Sequence, residues 1–111
     1  MSTITRTPKK LSQSALSSSA TAYYTTPSFT ETQITEIWLK NNNITTTRTV
    51  TVYAHGLTDS NILFTLSISA NGSALISNSR IVLATTEVLG AKIDTGTDVI
   101  MTTYGIEEVT S

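Results

Sequence analysis

Apolar and polar residues alternate with a period of two along most of this chain, from about residue 20 onward. That period puts successive side chains on opposite faces of a β-strand. It predicts a short strand over residues 20–25, stopped at Thr26-Pro27. A second strand is expected over 33–40, with Thr35, Ile37 and Leu39 on one face and Ile34, Glu36 and Trp38 on the other. A third, over 46–54, sets Arg48, Val50, Val52 and Ala54 against Thr47, Thr49, Thr51 and Tyr53. Its apolar face should point inward and its Thr-rich face toward solvent or a partner.

Ile62, Phe64, Leu66 and Ile68 mark the clearest alternation, and Asn71-Gly72 supplies the positive φ of a tight turn after it. Two short strands are expected at 74–77 and 80–83, another at 87–94, and a last one at 99–109 beyond the Asp94-Thr95-Gly96-Thr97 turn. Strands of this length, separated by turn residues, predict an all-β fold: an antiparallel β-sandwich, jelly-roll-like or Ig-like, of about eight strands. No stretch has the 3.6-residue period of an amphipathic helix.

The first nineteen residues differ. They are rich in Ser, Thr and Lys, keep no sustained period, and cannot bury themselves locally. Pro8 holds Thr7 extended. The expected organisation is therefore an extended N-terminal arm, residues 1–19, and a sandwich domain, residues 20–111. The arm either stays free or orders against a neighbouring subunit.

Composition narrows the function classes. The 111 residues suit one domain, and a third of them are Ser or Thr. With 39% hydrophobic and 6% aromatic residues the core is modest, which favours oligomerisation as a way to remove more apolar surface from water. The chain has no Cys, so disulfides and thiolate metal sites are excluded. A net charge of −1 argues against a nucleic-acid partner, and no apolar run is long enough for a membrane. No apolar signal core follows the early cations, so the Asn-x-Ser/Thr tripeptides at Asn43 and Asn71 read as incidental. Charge is uneven: Arg6, Lys9 and Lys10 fall in the first ten residues, Glu107 and Glu108 near the end.

Little here can do chemistry. The one histidine, His55, closes a strand at Ala54-His55-Gly56 and lacks the neighbours a base or metal ligand needs. Asp94 and Asp98 flank a turn, where Asp serves the backbone more often than a cation. Glu107 and Glu108 point to opposite faces of one strand, which spoils an acid–base pair. There is no phosphate-binding glycine loop and no serine elbow. The sequence thus predicts no catalytic residues, no cofactor and no metal. Trp38, Tyr53 and Tyr104 could form a stacking platform for a sugar, but packing in a core or interface is the simpler use of them.

Several segments, in order, carry a resemblance. Leu11-Ser12-Gln13-Ser14-Ala15 is followed by Tyr23-Tyr24-Thr25-Thr26-Pro27, then by Ile34-Thr35-Glu36-Ile37-Trp38-Leu39-Lys40-Asn41. Ser67-Ile68-Ser69-Ala70-Asn71-Gly72, Arg80-Ile81-Val82-Leu83 and Tyr104-Gly105-Ile106-Glu107 complete the series. Together they resemble small virion proteins of tailed bacteriophages, over most of residues 11–109. Thr26, Trp38 and Lys40 depart from that pattern, and the loop at 56–61 is short.

The resemblance implies a structural virion protein, foremost a capsid decoration (cement) protein that binds the outer capsid surface as a homotrimer and bridges capsomers. Its partners would be the major capsid protein or other virion proteins. It would reside in the virion, on the capsid surface or tail, after assembly in the host cytoplasm. A tail, neck or head-fibre protein of the same fold is the near alternative, and a carbohydrate-binding module the distant one. Arg6, Lys9, Lys10, Leu11 and Leu16 of the arm are the expected capsid or subunit contacts.

Overall fold

Strands pair from the middle of the chain outward: β4 (Arg48–Ala54) with β5 (Ile62–Ile68), β3 (Thr30–Asn41) with β6 (Ser73–Leu83), β2 (Thr21–Thr25) with β7 (Val88–Ile93), and β1 (Ile4–Ala15) with β8 (Val99–Thr110). The computed structural model describes residues 3–111, apart from the side chains of 78–80. This long folded ribbon then rolls up, adding the β3–β8 and β4–β7 pairings. Two antiparallel four-stranded sheets result, ordered β1-β8-β3-β6 and β2-β7-β4-β5. That connectivity is a jelly roll, and it settles the choice left open between jelly-roll-like and Ig-like.

The sheets are unequal. Strands of the first run 11 or 12 residues, about 40 Å, and those of the second 5 to 7. The long sheet therefore projects beyond the short one, and the molecule measures 56 × 25 × 19 Å. Between the sheets lie Ile34, Ile37, Leu39, Leu83, Val99 and Met101 from the long sheet. Val50, Val52, Ala54, Ile68, Leu89, Ala91 and Ile93 face them from the short one. Each fully buried Val, Leu or Ile contributes roughly 1.5–3 kcal/mol.

Three features differ from the sequence expectation. First, Ile34 joins Ile37 and Leu39 in the core, because a bulge at Thr35 inserts one residue and flips the alternation. Second, the two short strands expected at 74–77 and 80–83 are one strand, β6, with a register irregularity between its pairings at Ser77 and Ile81. Third, residues 4–15, expected within an N-terminal arm, are the edge strand of the long sheet, paired with β8 along their length.

The β1 bulge at Leu11 and the β3 bulge at Thr35 lie at the same level, beside Tyr104 and Gly105. A side chain at Gly105 would collide with the Gln33 carbonyl and with Leu11. Glycine there lets the bulged Leu11 pack against the core.

β4 is buried on both faces. Val50 and Val52 face the core, while Tyr53, on the opposite face, is only 2% exposed. Tyr53 pairs with Gly90, and the space a Gly90 side chain would need is filled by Leu57. The loop after His55 thus folds over the Thr-rich face that the alternation had assigned to solvent or a partner.

Candidate interaction surface

The long sheet has one face against the core and one face bare. Its register fixes which side chains share that outer face. Trp38 lies between Thr102 of β8 and Leu75 of β6; one step along, Glu36 lies between Tyr104 and Ser77; further on, Gln33 lies between Ile106 and Val82. From the edge strand, Arg6, Pro8 and Lys10 stand beside Glu108, Ile106 and Tyr104.

Trp38, Leu75 and Val82 are 44, 43 and 42% exposed, and Tyr104 is 37%. Four large apolar side chains on one sheet face, interleaved with Arg6, Lys10, Glu31, Glu36, Lys40 and Glu108, have the composition of a protein contact surface. Shallow grooves mark it. One, of about 290 Å³, runs beside Trp38, Lys40 and Ile100; another, of about 460 Å³, follows the bulge line at Pro8, Lys10, Thr35 and Tyr104.

The five expected contact residues separate in the structure. Arg6 and Lys10 reach the outer face, where Arg6 Nε lies 3.4 Å from Glu108 and Lys10 Nζ donates to Gln13 at 3.3 Å. Lys9 turns inward and donates to Glu107 Oε1 at 3.0 Å. Leu11 packs against the core, and Leu16 is wholly buried within it. Leu16 therefore has no surface to offer a partner in this fold.

Glu107 centres a buried polar cluster. Tyr24 Oη donates to Glu107 Oε2 at 2.6 Å and lies 2.7 Å from Thr32 Oγ1. The Tyr24 hydrogen bond, helped by Lys9 and opposed by burial, holds the Glu107 carboxyl below its ordinary range. Burial, then the Glu107 bond, pushes the Tyr24 phenol well above its own. The cluster joins β1, β3 and β8 of the long sheet to β2 of the short one, and so ties strands of both sheets together. Alternation correctly placed Glu107 and Glu108 on opposite faces; nothing in the sequence signalled the Tyr24 and Lys9 partners.

At the opposite end, Arg48 grips Asp98 with two bonds, Nε to Oδ1 at 2.9 Å and a terminal nitrogen to Oδ2 at 3.0 Å. Asn43 adds a third at 2.9 Å. Arg48 first, then Asn43, depress the Asp98 pKa to about 2. Asp94 instead accepts backbone N–H groups of Thr49 and Thr95. Among the described residues no group of three or more His, Asp or Glu could hold a metal ion.

His55, at φ 74°, places Nδ1 2.9 Å from Glu87, which also accepts the Ala84 N–H at 2.7 Å. This is a loop clasp. Of the three candidate stacking aromatics, Trp38 and Tyr104 share the outer face of the long sheet, and Tyr53 is buried on the other sheet.

A scan against protein families finds no match to the sequence, and neither does a search of curated proteins. The fold does have counterparts. It is similar to a chain in the acid-stable capsid structure of Helicobacter pylori bacteriophage KHP30, at TM-score 0.58 and 15% identity, covering 100% of this chain and 98% of that one. A looser likeness, TM-score 0.48 at 11% identity, covers 94% of this chain and 79% of a chain in the virus-like particle of extra small virus from the prawn Macrobrachium rosenbergii. Another, TM-score 0.46 at 15% identity, covers 99% of this chain and 88% of a chain from Bacillus endospore appendages, which form disulfide-linked pili. The chain thus has a jelly-roll fold that also occurs in a phage capsid.

Proposed function

We propose that this chain is a structural protein of a tailed-bacteriophage virion, and specifically a decoration (cement) protein attached to the capsid surface. The observation that carries the reading is the bare outer face of the long sheet. Trp38, Leu75, Val82 and Tyr104 form a contact surface on a jelly roll whose whole length matches a chain from a phage capsid structure. The mechanism is attachment. A rigid sandwich presents this face and the cations Arg6 and Lys10 of its edge strand to the shell, and a threefold cluster of copies multiplies each weak contact into a stable hold. Mixed charges at the rim fix orientation more than they add affinity.

Gold-labelled antibody against the chain, applied to purified particles and imaged in negative stain, tests this reading. Label over the whole head is the expected result. Label confined to the tail or neck replaces decoration with a tail role, and particles without label overturn the proposal.

A further inference from the structure

The N-terminal half of β1 is attached to the fold mainly along one edge. All seven side chains from Ile4 to Lys10 are exposed, so the segment adds little apolar burial to the fold. What holds it is the ladder to β8, the pairs Arg6–Glu108 and Lys9–Glu107, and the backbone bonds between Thr3 and Ser111. Elements with few buried contacts and exposed ladders open at far lower free energy than the rest of a protein. Past the Leu11 bulge the anchoring changes. Leu11 packs against the core, Leu16 is buried, its N–H donates to the Val99 carbonyl, and the Ser17 N–H donates to Tyr23 Oη. The bulge therefore separates a segment held mainly by its ladder from one anchored in the core.

From this we infer that residues 4–10 form an exchangeable strand, which in assemblies of this chain leaves its own β8 and pairs with the β8 of a second copy. The vacated edge selects its occupant. It exposes unpaired backbone groups, and it exposes Glu107, a carboxylate that binds Tyr24 from inside and needs a cation from outside. An extended segment with a cation on its inner face beside Glu107, and another on its outer face beside Glu108, satisfies that edge. Lys9 and Arg6 of any other copy arrive in that register.

Meanwhile Pro8 and the exposed Lys9 and Lys10 discourage strands from adding to the free side of β1, so replacement is favoured over stacking. Seven extended residues span about 23 Å, the length of the ladder they rebuild on a second copy whose β8 edge lies beside the Leu11 bulge. Exchange preserves every strand contact and converts it into a link between subunits. It concerns self-assembly and holds whether or not the particle is a phage.

The chain has no cysteine, which makes cross-linking clean. Thr5 faces Val109 across the β1–β8 ladder. Two proteins of distinguishable size, one carrying Thr5→Cys and the other Val109→Cys, are co-expressed, concentrated, oxidised and run on a non-reducing gel. A mixed heterodimer as the predominant oxidised species is expected. Equal yields of homodimers and heterodimer, or no dimers, overturn the inference. If either variant fails to fold, Pro8→Cys with Ile106→Cys reads the same ladder three residues away on the other face. The double variant Thr5→Cys/Val109→Cys should give linked multimers at high concentration; cross-linked monomer alone at every concentration also overturns it.

Discussion

Two polar side chains hold more of this fold together than their sequence context suggests. Asn41 opens an Asn41-Asn42-Asn43 run, yet it is wholly buried. Its amide donates to the carbonyls of Thr46 and Ile68 at 2.9 and 3.1 Å, and its oxygen accepts the Asn43 N–H at 3.0 Å. Asn41→Leu leaves those backbone groups without that partner, and a loss of about 1–3 kcal/mol is expected by denaturant titration. Glu107→Gln is expected to cost a similar amount at neutral pH, since an amide NH₂ would face Lys9. The sign with pH follows from the depressed Glu107 pKa: its stabilisation is complete above the ordinary value of 4.5 and fades as pH falls through the folded value. Melting temperatures of wild type and Glu107→Gln should therefore differ most above pH 5 and converge in acid; a gap that is constant with pH contradicts this account of the cluster. Neither role was legible beforehand, because both depend on partners far away in sequence, 27 residues from Asn41 to Ile68 and 83 from Tyr24 to Glu107.

At the level of strands, the period-two pattern was readable wherever a strand runs without interruption. Ile62–Ile68 and Val99–Thr110 fall close to where alternation puts them. The pattern misled at Thr35, where one inserted residue moved Ile34 to the core, and at residues 78–80, where a register irregularity resembled the gap between two strands. Residues 4–15 escaped notice as a strand for a different reason: their side chains are mostly exposed, so no apolar period exists to detect. Gly105 ties the bulges together. Gly105→Val pushes a branched side chain against the Gln33 backbone and Leu11 and should lower stability by about 1–3 kcal/mol. Gly72→Ala is crowded in its own way: a Cβ there would lie 2.8 and 2.9 Å from the side-chain and backbone oxygens of Ser69, so the turn must shift and denaturant titration should show a loss of about 1 kcal/mol or more.

For the molecule as a whole, the sequence disclosed the class of fold and the poverty of reactive groups, while the proposed contact face needed the register. Trp38, Leu75 and Tyr104 are scattered along the chain and become neighbours only when β6, β3 and β8 are laid side by side. Trp38→Asp should leave the melting temperature within a few degrees of wild type, since the side chain is half exposed, yet abolish attachment of the protein to particles in a co-sedimentation assay. Equal attachment by the variant would remove the outer face from the account. The most direct test is a cryo-electron-microscopy reconstruction of the particle that carries this chain. Jelly-roll density repeated over the outside of the head, with the Trp38 face of the long sheet turned to the shell or to a neighbouring copy, is the predicted result. A jelly roll whose Trp38 face points to open solvent, or no jelly-roll density on the particle at all, would contradict it.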